Sequence, residues 1–237
     1  MICTVNAQVD INHDVINTSG GDLTMYFVNH GTLMFTFNDI VIHVDPVSRA
    51  TDYSKMPRAD IILITHQHGD HLDREAIQDI TKPDTRLFLP QESYNQLNSA
   101  GEEAMGEVIR NGEKRIIKGL TIEAVPAYNL VHVRDDGTPF HPKGDGNGYV
   151  INFANKRVYV AGDTENVPEM KDLKNIDVAF LPMNLPYTMT PEMVADAVSK
   201  FHPAIVYPYH YGETDTQKLV DLLKDMPGTE VRIRNFY

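Results

Sequence analysis

An apolar run at residues 61–64 is followed at once by THQHGDHLD, residues 65–73, which places three histidines and two aspartates within nine positions. An apolar run that ends in polar side chains is typical of a buried strand that delivers a loop to the edge of a sheet. Alternate side chains of an extended loop point the same way, so His66 and His68 share a side, and Gly69 permits a sharp turn before Asp70 and His71. These donors indicate a metal site with room for two adjacent cations, in preference to a polar helix cap.

Length and composition fit one globular α/β domain. The chain has 237 residues, of which 42% are hydrophobic and 23% are charged, as in ordinary soluble domains. Its net charge of −12 repels polyanions, which argues against nucleic acid and anionic membranes as partners. We find no apolar run approaching the roughly 20 residues of a membrane-spanning helix. The single cysteine, Cys3, leaves no partner for an internal disulfide and argues against a thiolate metal site.

Residues 1–22 are predicted to be an N-terminal lead-in, which is irregular from residue 8 because Asn, Asp, Ser and Gly dominate it. Val5-Asn6-Ala7 before Gln8 has the small-residue pattern of a signal-peptidase site, but the basic and fully apolar parts of a signal are missing. The pattern fits a signal-peptide remnant and an ordinary start equally, so export and a cytoplasmic location both stay open. The domain itself is predicted to span residues 23–237.

From residue 23, strand and helix signals alternate without a linker or a low-complexity tract. LTMYFVN, LMFTFN and IVIHVD are short β-branched or aromatic runs separated by Gly31 and by Asn38-Asp39, which predicts an antiparallel meander. Next we expect a strand at 61–64, a helix at 74–80, and strands at 86–89, 115–117 and 120–125.

The second half repeats this order. GYVINF, RVYVAGD, VAFLPM, AIVYPYH and EVRIR predict strands, and a helix is expected after Thr190, since Thr190 can cap it and Pro191 suits its first position. Its apolar positions recur with helical spacing, and a later helix is expected to turn Leu219, Leu222 and Leu223 inward. Two halves of this kind predict a four-layer αββα sandwich, an α/β fold of two mixed β-sheets with outer helices and with metal-capable loops along one edge.

THQHGDHLD resembles the HxHxDH motif of the metallo-β-lactamase superfamily. HVDPV, VAGDT and PYHYG are similar to three further strand ends of that family in the same order, so the resemblance covers nearly the whole chain from about residue 23. VNHGTLMF, VPAYN, FHPKG and YTMTPEMVADAV further resemble small metal-dependent hydrolases related to ascorbate-6-phosphate lactonase and N-acylphosphatidylethanolamine phospholipase D. The resemblance is specific for the fold and the metal site, and it does not identify a substrate.

Residue by residue, the resemblance implies two cation sites that share one carboxylate. His66 and His68 would bind the first cation, Asp163 would bridge both, and the second cation would be held by Asp70, His71 and His210.

The third imidazole of the first site departs from the simplest family pattern. Many relatives place it soon after the strand that corresponds to IEAVPA, where this chain has Tyr128 and Asn129. His141 is favoured, because its Pro- and Gly-rich loop can fold back to the strand ends. Asn129, His132 or a water molecule remain as alternatives.

Three more residues are expected around the site. Asp45 ends a strand before Pro46, where it can hydrogen-bond the metal loop and orient its imidazoles, although a turn-forming Asp-Pro is nearly as good an interpretation. His30 is expected at the same rim, and Tyr187 in the wall of a substrate pocket. His43 is expected to be packed or exposed instead of ligating.

Imidazoles and carboxylates without a thiolate suit two divalent cations, with zinc as the default and manganese or iron as alternatives. The resemblance implies a hydrolase in which a metal-bridging hydroxide attacks an ester, lactone or phosphodiester of a small molecule, while Asp70 orients the nucleophile and passes its proton onward. A di-iron redox protein on the same scaffold and a non-catalytic metal-binding protein are the alternatives. The oligomeric state is not predicted.

Overall fold

Two mixed sheets of seven strands each form the centre of the molecule. The computed structural model describes residues 11–99, 101 and 104–237, so the signal-like segment at residues 5–7 lies outside the described residues. Along the first sheet the strands are β1 (His13–Thr18), β2 (Gly21–Asn29), β3 (Thr32–Phe37), β4 (Ile40–Val44), β5 (Ile61–Leu63), β6 (Arg86–Leu89) and β7 (Glu107–Val108).

The second sheet is built from the rest of the chain in the same way. Its strands are β8 (Lys114–Ile117), β9 (Leu120–Ala127), β10 (Gly146–Phe153), β11 (Lys156–Val160), β12 (Val178–Pro182), β13 (Ile205–Tyr209) and β14 (Glu230–Val231). In each sheet the first four strands pair antiparallel and the later ones pair parallel. The predicted meander of β2, β3 and β4 is therefore confirmed.

Helices cover the outer face of each sheet. The first sheet packs against α1 (Arg74–Ile80) and α2 (Gln91–Leu97), and the second against α3 (Pro191–Phe201) and α4 (Thr216–Leu223). Between the sheets lies a third apolar layer, in which Phe27 and Phe35 contact Phe180 from the opposite sheet at ring-centroid distances of 6.2 and 5.9 Å. The four-layer αββα sandwich is thus confirmed.

Successive side chains of a strand point to opposite faces of the sheet, so one strand can pack against two layers. In β3, Leu33 and Phe35 point into the core between the sheets, while Met34 points to the helix side. Both faces are buried, so the strand is apolar along its length.

The two best-marked helix starts are confirmed. Helix α1 has the predicted bounds, and the Asp73 carboxylate accepts the backbone N–H groups of Glu75 and Ala76 at 2.9 and 3.3 Å. At α3, Thr190 accepts the N–H of Met193 at 3.2 Å, and the periodic apolar residues Val194, Ala197, Val198 and Phe201 are buried.

Three features of the sequence prediction are wrong or missing. Residues 13–18 form an edge strand paired with β2, not an irregular segment; its polar sequence hides it, because an edge strand buries little. Leu222 points outward and is 45% exposed, since only Leu219 and Leu223 lie on the buried face of α4. Helix α2 was not predicted. Among the described residues, no helix has the length and apolarity required to cross a membrane.

Candidate metal centre

The predicted ligands lie where parallel strands of both sheets end. Asp45 directly follows β4, the loop of residues 64–73 follows β5, Asp163 follows β11 after two residues, and His210 directly follows β13. Parallel strands place their carboxyl ends at one edge of a sheet, and here the edges of the two sheets meet. Residues more than 100 positions apart therefore share one site.

Three groups of donors meet at this edge, two of which share His66. Within each group the histidine nitrogens and carboxylate oxygens lie within 4.8 Å of one another, and the groups are His66 with His68 and His141, His66 with His71 and Asp163, and His30 with Asp70 and His210.

Asp163 occupies the middle of the centre. Its Oδ2 lies 3.2 Å from His141 Nε2, and its two carboxylate oxygens lie between 3.6 and 3.8 Å from Nε2 of His66, His71 and His210. The carboxylate is buried, with a side chain only 4% exposed. One carboxylate thus faces four imidazoles, a donor set that could hold a metal ion.

Asp70 lies on the open side of the centre. Its Oδ2 is 3.6 Å from His210 Nε2 and 3.8 Å from His71 Nε2, and its side chain is 30% exposed. The guanidinium of Arg49 approaches the same oxygen at 3.6 Å. Asp70 therefore contacts both the histidines and solvent.

The inner imidazoles are held through their Nδ1 atoms. His71 Nδ1 lies 2.8 Å from the buried Asp45 carboxylate, which also accepts the N–H and O–H of Thr65 at 2.7 and 2.6 Å. His141 Nδ1 lies 2.6 Å from the amide oxygen of Asn129. Because both partners are acceptors, each Nδ1 donates and the Nε2 lone pair faces Asp163.

Several buried polar atoms at the centre have no hydrogen-bond partner within the protein. They are His71 Nε2, Asp163 Oδ1 and both ring nitrogens of His210. Leaving a buried polar group unpaired costs about 1–3 kcal/mol. The unpaired Nε2 atoms of His71 and His210 lie 3.6 and 3.7 Å from Asp163 oxygens, so they indicate a missing partner at the centre. The donor set is nitrogen and oxygen only, which fits divalent cations.

The protonation states also suit cation binding. Burial and the neighbouring His71 hold the pKa of His66 well below its usual range, and burial lowers the pKa of His68 and of His210 to about 4. Burial would raise the pKa of Asp163, but His210 and His71 hold it well below its ordinary value. Neutral imidazoles around an ionised carboxylate are the forms that ligate metals.

His71 is the exception in this group. Burial lowers its pKa, but the charges of Asp163 and Asp45 outweigh burial and raise the pKa above its ordinary value. A cation at His71 Nε2 would therefore displace a proton.

The structure distinguishes the three protein candidates for the first site. It brings His141 to His66 and His68, whereas His132 Nδ1 lies 2.7 Å from Glu165 Oε1. The Asn129 amide group is divided between His141 and Glu165. His43 is buried away from the groups and contacts the carbonyl of Pro57 at 2.9 Å, as expected of a packed histidine.

Glu165 was missed as a site-building residue. Its buried carboxylate accepts the backbone N–H groups of Leu130, Val131 and His132 at 2.7–2.8 Å, so it shapes the loop that carries Asn129. Burial opposes its ionisation, but these hydrogen bonds hold the pKa of Glu165 below its ordinary value. In the sequence, the only sign of this role was the position of Glu165 two residues after Asp163.

A cavity of about 380 Å³ opens onto the centre. Tyr187 lies in its wall, as expected, with its ring 5.0 Å from that of Phe140, and the Arg134 guanidinium lies 5.2 Å from the Phe140 ring. A larger cleft of about 790 Å³ lies beside α1, but none of the three donor groups lines it. The chemistry therefore belongs to the smaller cavity.

Known proteins resemble this chain over most of its length. The family described as the β-lactamase superfamily domain matches residues 24–210. A UPF0173 metal-dependent hydrolase from Methanopyrus kandleri is 30% identical over 78% of this chain and 83% of its own. A crystal structure from Parabacteroides distasonis, of a protein proposed to be a metal-dependent hydrolase, is 49% identical with a TM-score of 0.87, covering 94% of this chain and 98% of that one. A metallo hydrolase from Ignicoccus hospitalis is 25% identical with a TM-score of 0.72, covering 90% and 94%.

Proposed function

The chain belongs to the β-lactamase superfamily domain family and, within it, to the UPF0173 metal-dependent hydrolases, and from this premise we propose that it hydrolyses an ester, lactone or phosphodiester of a small molecule at a two-cation centre. The observation that carries the proposal is the position of Asp163, which has four imidazole nitrogens within 3.8 Å.

Each cation has its own set of protein donors in this proposal. His66, His68 and His141 hold the first, and Asp70, His71 and His210 hold the second, with Asp163 between them. The unpaired buried atoms of His71, Asp163 and His210 support this assignment, because a cation would satisfy them. Zinc is the default for such donors, with manganese and iron as alternatives.

The cations, when bound, would supply Lewis acidity that lowers the pKa of a water molecule and polarises the substrate's scissile group. The Asp70 carboxylate accepts the proton of the attacking water and passes it on, since this carboxylate alone in the centre is both partly exposed and within 3.8 Å of two imidazoles. Asp45 and Thr65 keep His71 in one orientation. Arg134, Phe140 and Tyr187 bind the substrate along the cavity wall.

The test is turnover by protein loaded with zinc, manganese or iron, against a panel of esters, lactones and phosphodiesters. We expect hydrolysis of at least one class, and we expect Asp70→Ala to abolish it. Asp79→Ala, at an exposed position of α1, is the matched control and should retain full activity. A metal-loaded protein that hydrolyses no panel member, or an Asp70→Ala variant with unchanged turnover, would contradict the proposal.

A further inference from the structure

His30 lies beside Asp70 and His210, two proposed donors to the second cation, although it is far from the histidine motif in sequence. It occupies the turn between β2 and β3, with a φ of 49°, and its ring centroid is 3.8 Å from that of His210. A Cβ at the next residue, Gly31, would lie 2.6 Å from His71 Cε1. The turn therefore combines a left-handed backbone at His30 with a position, Gly31, that has no room for a side chain. Strained backbone held this close to the centre indicates a role there.

The backbone of His30 is fixed at both of its polar atoms. Its N–H donates to the carbonyl of Phe236 at 2.7 Å, and its carbonyl accepts the N–H of His210 at 3.1 Å. The turn that carries the imidazole is therefore bonded directly to the backbone of His210.

The ring of His30 is held by Tyr237. Tyr237 Oη lies 3.0 Å from His30 Nδ1 and also accepts the N–H of Gly212 at 2.7 Å. With Nδ1 anchored on an oxygen, Nε2 is the atom that faces the centre. His71 has the same arrangement, with Nδ1 anchored on Asp45 and Nε2 facing Asp163.

The distance from His30 Nε2 to Asp70 Oδ2 is 3.4 Å. This is longer than the usual N–H···O hydrogen bond. Two ligand atoms at roughly 2.0–2.2 Å from one cation lie roughly 2.8–3.8 Å apart at the angles of about 90–120° found in four- and five-coordinate sites. The separation of 3.6 Å between His210 Nε2 and the same oxygen is of this kind, and the donor atoms of His30, Asp70 and His210 all lie within 4.8 Å of one another, so the three residues can ligate one cation.

We propose that His30 is a further ligand of the second cation, and that Tyr237 is the positioning residue that accepts the Nδ1 hydrogen of His30 and directs its Nε2 lone pair to the cation. This inference rests on the proposed two-cation centre. It gives the second cation three imidazoles and two carboxylates, whereas the first has three imidazoles and the shared Asp163. The two sites then differ in coordination number before any water binds.

The experiment titrates the metal-free full chain with Co²⁺, following heat and visible absorption. We compare His30→Ala and Tyr237→Phe with the wild type. The controls are His13→Ala, which removes an exposed histidine of β1, and Tyr211→Phe. The Tyr211 ring lies 5.2 Å from the Tyr237 ring, and its hydroxyl donates to the Arg234 carbonyl instead of contacting His30. Melting of the metal-free variants checks folding, and His30→Gln replaces His30→Ala if the latter does not fold.

We expect the wild type to bind two Co²⁺ ions. His30→Ala should lower the affinity for the second ion by more than tenfold. The d–d band of that ion should also become more intense, because Co²⁺ with fewer ligands absorbs more strongly. Tyr237→Phe should lower the affinity for the same ion about tenfold, because His30 loses the hydrogen-bond partner that orients it. Both controls should bind Co²⁺ as the wild type does.

Other outcomes separate the two proposals. If His30→Ala or His30→Gln binds the second ion with the wild-type affinity and spectrum, the inference is overturned while the two-cation centre stands. If only Tyr237→Phe is unchanged, the anchoring role of Tyr237 is overturned. If the wild type binds no Co²⁺, the proposed function itself fails.

Discussion

Asp45→Asn should weaken cation binding although Asp45 is not a proposed ligand. In the native centre Asp45 Oδ2 accepts hydrogen bonds from Thr65 Oγ1 and His71 Nδ1, and Oδ1 accepts one from Thr65 N. An asparagine presents one oxygen and one NH₂ group, so in either orientation an NH₂ group faces a donor. His71 then loses its fixed tautomer, or Thr65 loses its acceptor.

The size of the effect follows from these contacts. One or two buried donors are left unpaired, each at a cost of about 1–3 kcal/mol to folding. Loss of a partner that orients a ligating imidazole typically weakens metal affinity by about 10–100-fold, which corresponds to about 1.4–2.8 kcal/mol. We expect the affinity of the second cation to fall within this range, with the first cation much less affected.

The assay is competition of the purified variant with a chromophoric chelator for Zn²⁺ or Mn²⁺. Asp60→Asn is the matched control, because Asp60 is also buried and fully hydrogen-bonded but contacts Val41, Lys82 and Lys118 away from the centre. Both variants should lose folding stability, and only Asp45→Asn should lose metal affinity. Wild-type metal affinity in Asp45→Asn would refute the role assigned to Asp45.

Three further outcomes test other parts of the account. Gly31→Ala should lower the melting temperature and weaken the second cation, because its Cβ meets the His71 ring at 2.6 Å; unchanged calorimetric melting and metal binding would count against it. Glu165→Gln should raise KM, because residues 129–132 lose part of the carboxylate that holds their backbone. Equal protease sensitivity of that loop in the variant and the wild type would contradict this role of Glu165. Burial would raise the pKa of Asp60, but the Lys118 and Lys82 ammonium groups lower it. Asp60 therefore stabilises the fold above about pH 4, and this contribution is lost as the pH falls through its lower native pKa. As the pH falls through this range, the melting temperature of Asp60→Asn should therefore decrease less than that of the wild type.

The parts of the centre that sequence could predict are local ones. Residues 65–73 carry their donors at fixed spacing on one loop, and the strand before it is recognisable from its apolar run. Asp163 and His210 were expected from strand ends and family resemblance together. The structure brings all of these donors to one edge.

The loop from residue 128 to 145 could not be placed from sequence. Its path depends on the Glu165 carboxylate, which binds backbone N–H groups 33–35 positions away. Those bonds and the contact of His132 Nδ1 with Glu165 hold His132 at Glu165, and Asn129 also exchanges hydrogen bonds with His141. No local propensity encodes such contacts.

His30 and β1 show two other limits of sequence. His30 was expected at the rim of the site, where the structure places it, but its contacts with Phe236 and Tyr237, more than 200 residues along the chain, have no local sequence signal. Strand β1 alternates between exposed and half-buried residues, so it lacks the apolar signal of a buried strand. Leu222 was misplaced because its spacing fits an apolar stripe, whereas α4 buries only Leu219 and Leu223 and leaves Leu222 45% exposed.

The number of divalent cations bound per chain tests the account most directly. Elemental analysis of dialysed, metal-loaded wild type should give two per chain, with one per chain in His68→Ala, since that variant loses a donor of the first cation only. One cation or none in the wild type would contradict a centre built around a shared Asp163.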